Sequence, residues 1–336
     1  MKKISLILAA GFFGLIMAEA QVKSLPASVA FRLDEIDLIP EGITHDSRTG
    51  RFFLSSINKE KVVAVSAAGK ALDFIKSGQD GVMESLGLKV DGKNRRLWVL
   101  SNKEVDDRHL AAVHVFHLDS GALVKKFVLD KKEHQLFNDL VLTREGAAYI
   151  TDTEAHRIYF VPPDLSRLEL FLESTDLLNS ANGIAISPDN AVLYVAALKH
   201  LTLIDLKTKA MRPIGNPAAA DDFGIDGLLF HQGGLVAVVN GVATEEDIHI
   251  ARYDLSPDGR EIRSRSIIDK ANPLFNIPTT AVIVGDDLFC LADTGLGVFL
   301  KNQMNDRSKL RNPTVLKYNL AEKRNEILRS ESKERN

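Results

Sequence analysis

Short apolar runs of four or five residues recur along this chain, separated by clusters of turn residues. The clearest case is residues 182–196. Gly183-Ile184-Ala185-Ile186 is apolar, Ser187-Pro188-Asp189-Asn190 is polar, and Val192-Leu193-Tyr194-Val195 is β-branched and aromatic. Proline presets φ in such a turn, and Asp and Asn bond their own backbone. The stretch therefore predicts strand, tight turn, strand. The pattern returns at residues 42–55, 87–100, 139–152, 227–239 and 281–293. The six copies start at 42, 87, 139, 183, 227 and 281, so they are spaced by 45, 52, 44, 44 and 54 residues.

A mostly β repeat of about 40–50 residues is the mark of a β-propeller blade. Each blade is a four-stranded antiparallel sheet, and the blades ring a central channel. The hairpin supplies two strands and the segment between copies the other two, as in residues 61–65 with 72–75. One blade cannot bury both its faces, so stability must come from stacking. The expectation is an all-β, six-bladed propeller with a central metal channel. Residues 30–36 precede the first hairpin and 314–318 follow the last, and together they are expected to complete one blade.

The residue before each hairpin is Glu41, Leu86, Asn138, Asn182, Asp226 and Thr280 in turn. In a propeller this position faces the channel mouth in every blade. Two carboxylates, two amides, one hydroxyl and one apolar wall should converge there. Such an oxygen-only set suits a hard divalent cation, with calcium the first choice and other divalent ions possible. With no His or Cys among them, zinc does not fit.

Pro40-Glu41-Gly42, Asn138-Asp139, Asn182-Gly183-Ile184 with Ser187-Pro188-Asp189, and Asp226-Gly227-Leu228 resemble the SMP-30/gluconolactonase/luciferin-regenerating-enzyme family in order and spacing. The resemblance implies a six-bladed propeller with a divalent metal in its channel and a lactone- or ester-opening activity. It implies Glu41, Asn182 and Asp226 as metal ligands, Asn138 as a ligand or a substrate contact, and Asp226 as general base, with Asp226 and Asn138 as the catalytic pair. The family's sugar-reading arginine has no match near Asn102-Lys103-Glu104, and Leu86 is apolar; both point away from a sugar lactone. A cation-braced binding or scaffold propeller, or a strictosidine-synthase-like or phosphotriesterase-like activity, are the alternatives.

Other features narrow the picture. Lys2 and Lys3, an apolar run from Ile4 and Ala18-Glu19-Ala20 read as a signal peptide over 1–20, which implies a periplasmic or secreted protein. The apolar run is shorter than the ~20 residues a membrane span needs. Residues 21–336 read as one propeller domain, with a charged tail from about 322. Net charge is −3, so no nucleic-acid or anionic-membrane partner is expected; the partner is a small-molecule substrate, and the oligomeric state stays open. The single Cys290 reads as a buried hydrophobe. Glu84, His45, Asp46 and His134 fall near the channel positions and read as loop or structural residues; Asp152 and Asp293, which recur at one blade position, read as turn formers. There is no Gly-x-Ser-x-Gly elbow, phosphate loop or His-Glu-x-x-His motif. The polar loops at 241–250 (acidic over 241–247) and 295–313 are candidate lids.

Overall fold

The computed structural model describes residues 24–215, 224–241 and 247–321. The signal-peptide and tail readings therefore lie outside the described residues, as does most of the acidic loop after 241.

Six four-stranded antiparallel sheets make up the described chain. Their first strands are Ile43–Asp46, Glu84–Asp91, Phe137–Leu142, Ile184–Ile186, Ile225–His231 and Ala281–Val284, one per predicted hairpin. In blades one to five the strand order follows chain order. Blade six differs: its fourth strand is Ala27–Arg32, from the start of the chain, paired with Thr314–Asn319. The predicted closure by both termini is thus present, with the N-terminal strand three residues earlier than expected. A register shift between Val29 and Phe31 interrupts the pairing there.

The first strands pack on one another around the ring, blade one on blade two and blade six back on blade one. Between blades the core is apolar. Phe53, Val62 and Ile75 of blade one meet Leu88, Leu97 and Val99 of blade two; Trp98 and Leu100 of blade two meet Phe137 and Ile150 of blade three. Fully burying such a side chain contributes roughly 1.5–3 kcal/mol. Polar locks add specificity at the blade edges. Buried Asp46 accepts a bidentate pair from Arg95 of blade two at 2.8 and 3.0 Å, which holds its carboxyl down at about 2.

The same irregularity interrupts every first strand at its mouth end. Two consecutive residues stand opposite one on the second strand: Leu86 and Gly87 where the partner has Leu100, and Asn138 and Asp139 where it has Thr151. Asn182 N and Gly183 O both bond Ala196, and Thr279 N and Thr280 O both bond Leu291. Blade five skips Asp226 between Ile225 and Gly227. In blade one Gly42 O accepts from Ser55 N while Gly42 N donates to Ser55 Oγ. A bulge bends a strand and re-aims one side chain. In blades one to five it turns the residue before the hairpin out of the ladder; in blade six the bulged pair is Thr279–Thr280, so Thr279 holds that position and Thr280 stands where blade four has Gly183, one residue off the alignment read from the sequence.

Candidate metal centre in the channel

Because the bulge repeats, residues at or beside it in several blades come to one end of the channel. Glu41, Asn182, Asp226 and Thr280 line one narrow crevice there, together with Lys89 and Asp139. Asn138 and Leu86 are also buried at this level. The glycine after the ligand position sets how closely the blades approach. A Cβ on Gly42 would lie 2.5 Å from Leu86 O, one on Gly87 2.4 Å from Asn138 O, and one on Gly183 2.4 Å from Asp226 O. Each glycine thus seats the next blade's candidate ligand. Thr279 Oγ1 donates to Glu41 O at 2.7 Å and closes the circuit from blade six to blade one.

A supporting shell comes from the ends of the second strands. Asn240 Nδ2 donates to Asp226 Oδ2 at 2.9 Å. Asn138 Nδ2 donates to Thr153 Oγ1 at 3.0 Å, and Thr153 Oγ1 donates onward to Ala181 O. Asn102 brackets Phe137, accepting from its N–H and donating to its carbonyl. Asp152 Oδ1 accepts from Leu136 N and Ala155 N, and Asp293 Oδ1 accepts from Asn276, so both are turn and strand fasteners as the sequence suggests.

This bonding leaves a distinctive residue. Glu41 Oε2, Asn138 Oδ1 and Asn182 Oδ1 are buried with no donor. An unsatisfied buried acceptor costs roughly 1–3 kcal/mol. A bare calcium ion sits about 2.3–2.6 Å from its ligands, closer than a water would. A cation is the ligand that three donorless oxygens beside two carboxylates fit. Among the described residues no three His, Cys, Asp or Glu side chains gather as a metal site; this set is two carboxylates and two amides.

The electrostatics agree. Desolvation pushes the Glu41 carboxyl well above its usual range, with the charges of Asp226 and Asp139 adding to the rise and Lys89 opposing it. Desolvation likewise pushes Asp226 up to about 7, against hydrogen bonds from Asn240 and Asn182. Two carboxylates crowded away from water cannot both ionise cheaply without a counter-charge.

Leu86 is not a bare channel wall. It packs with Ile39, Ile57 and Leu310, and Leu296, Phe299 and Met304 lie against the same cluster. The segment 295–313, with its helix Leu296–Leu300, therefore caps the mouth over blades one to three. Beside the cap a groove of about 570 Å³ is lined by Asn240, Phe275, Ile277, Val298, Leu300 and Lys301 among others. Asn240 joins that groove to Asp226.

The remaining candidates fall outside the crevice. His45 rests on the Phe52 ring and Asp46 is held by Arg95, so neither builds a deeper site. Glu84 is half-buried near Glu60 and Lys103. His134 is exposed against His109. His114 is buried and His117 exposed, on opposite faces of one strand. Cys290 is fully buried, and burial pushes its thiol far up. Sequence reasoning missed Asn240, Asp139 and Lys89. The hairpin register signals Asn240, since the end of the second strand returns to the residue before the first. Lys89 was signalled by a charge on an otherwise apolar first strand.

The sequence profile of the SMP-30/Gluconolactonase/LRE-like region matches residues 39–272. No curated relative matches the chain. Three solved structures share the fold. A gluconolactonase from Xanthomonas campestris is 16% identical, with TM-score 0.56 over 83% of this chain and 84% of that one. A luciferin-regenerating enzyme is 16% identical, with TM-score 0.58 over 87% and 95%. A calcium-binding protein, regucalcin, from Agrobacterium tumefaciens is 16% identical, with TM-score 0.53 over 86% and 93%.

Proposed function

The chain belongs to the SMP-30/gluconolactonase/LRE-like family, and from that premise we propose that it is a divalent-cation-dependent hydrolase opening a lactone or related ester at the channel mouth. The observation that carries this reading is the pair of donorless buried oxygens on Glu41 and Asn182 that share one crevice with the Asp226 carboxylate, with a third donorless oxygen on buried Asn138. Glu41, Asn138, Asn182 and Asp226 would hold the cation, calcium by the chemistry of the set. When bound, it polarises the scissile carbonyl and stabilises the developing oxyanion.

The chain's own residues do the rest. Asp226, in the crevice with Glu41, takes the proton of the attacking water. Asn240 holds Asp226 through Oδ2. Thr153 fixes the Asn138 amide so that its oxygen is the free end. The groove beside Asn240 receives the acyl part, with Phe275, Ile277 and Val298 as its apolar wall. We read the N-terminus as an export signal, which places this activity outside the cytoplasm. Among the described residues no helix is long and apolar enough to cross a membrane.

A lactone panel from sugar lactones to long-chain acyl lactones, run with EDTA and with added calcium, tests the reading. Hydrolysis should vanish with EDTA and return with calcium, and Asp226→Ala should lose bound metal and activity together. Unchanged hydrolysis in that variant would remove the mechanism. Stoichiometric calcium with no hydrolysis of any ester would favour a cation-braced binding propeller instead, although the groove opening beside Asp226 favours an enzyme.

A further inference from the structure

One partly buried charge in the channel is unused by that chemistry. Lys89 stands on the first strand of blade two, with Nζ 3.2 Å from Asp139 Oδ1. Both residues line the crevice that holds Glu41 and Asp226. At the same step past the bulge the other blades carry Thr44, Val141, Ala185, Leu229 and Val282, so the ammonium is peculiar to blade two. Its carboxylate makes Asp139 peculiar to blade three in the same way: its counterparts are Gly42, Gly87, Gly183, Gly227 and Thr280. Its oxygen reaches into the space beside Gly87, 3.2 Å from where a Cβ there would stand. The lone lysine and the additional carboxylate thus meet across the blade two–three contact.

The charges along the crevice are Glu41, Asp139 and Asp226 against Lys89. Three carboxylates less one ammonium leave −2 when all are ionised, the charge one divalent cation neutralises. We propose that Lys89 is a fixed counter-ion that sets the channel's charge and so selects a divalent over a trivalent ion of similar size. This rests on the reading that the crevice holds a cation. A fixed positive charge repels every cation, but a trivalent ion half as strongly again as a divalent one. In a poorly screened interior that difference persists. A lysine that merely anchored Asp139 would affect folding without sorting ions by charge.

Terbium binding by luminescence and calcium binding by calorimetry, on the wild-type protein, Lys89→Met, Asp139→Asn and the double variant, separate these roles. Lys89→Met should raise the ratio of terbium to calcium affinity by at least about tenfold. Asp139→Asn should lower it. The double variant, back at −2, should restore it to near the wild-type value, and this pair of neutral side chains keeps the test open should Lys89→Met fold poorly. Ratios that do not follow net charge in folded variants overturn this inference alone. Failure of the wild-type protein to bind either ion overturns both it and the metal reading.

Discussion

At the scale of single residues, the Glu41 and Asp226 carboxyls make stability and metal binding pH-dependent in opposite senses. Their pKa values lie above those of an unfolded chain, because burial and mutual repulsion disfavour the ionised forms. Such groups stabilise the folded metal-free protein below the unfolded value of about 3.9–4.3, and that contribution is lost as pH rises towards about 7. Metal-free protein should therefore melt at a lower temperature at pH 8 than at pH 5, and saturating calcium should abolish the drop. Calcium binding should weaken below pH 7, by up to about tenfold per pH unit for each proton displaced; calorimetry across pH 5–8 measures this. Asp46 acts in the opposite direction. Its pKa is lowered by Arg95, so its contribution is present above the unfolded value and lost as pH falls towards about 2.

At the scale of elements, the repeated bulge is what turns a β ladder into a ring of ligands. It depends on closely spaced backbones, and Gly183 is the sharpest case. Gly183→Ala would drive a methyl into Asp226 O and Leu228 N, at 2.4 and 2.7 Å. It should cost about 1–3 kcal/mol in urea unfolding and weaken calcium binding, whereas Gly92→Ala, with open space around its Cβ, should do neither. Much of this was legible in the chain. Turn residues between apolar runs located all six hairpins, and a fixed register relative to those hairpins picked out Glu41, Asn182 and Asp226, which share one crevice, but ran one residue late at Thr280, where the bulge begins at Thr279. What sequence could not supply was contact across blades. The Lys89–Asp139 pair joins residues 50 apart, and the seat of Leu86 beneath Leu310 joins residues 224 apart, by subtraction. Nothing local to Leu86 announces a partner that far along the chain.

At the scale of the whole molecule, the ring is held shut by Ala27–Arg32 on Thr314–Asn319 and by Thr279 on Glu41. A variant beginning at Leu33 would leave the edge of blade six unpaired. It should unfold several kilocalories per mole earlier, on the order of 3 kcal/mol or more for a lost strand with its ladder and apolar face, and calcium should recover only part of this in thermal denaturation. The cap over blades one to three rests on the same closure, since Leu310 lies just before the strand that receives the N-terminal one.

That closing strand also imposes an order in time. Ala27 pairs with Tyr318, so the first-made strand waits for a partner 291 residues later, by subtraction. At about 5–20 residues per second of synthesis, this is on the order of tens of seconds. During that interval blades one to five can stack, but the waiting strand and the growing edge both expose unpaired backbone, the kind of surface that recruits other chains. A protein built this way needs its N-terminus kept apart from other strands until the last blade is made. Anything that bound and shielded the N-terminal segment during synthesis would also act as its folding chaperone.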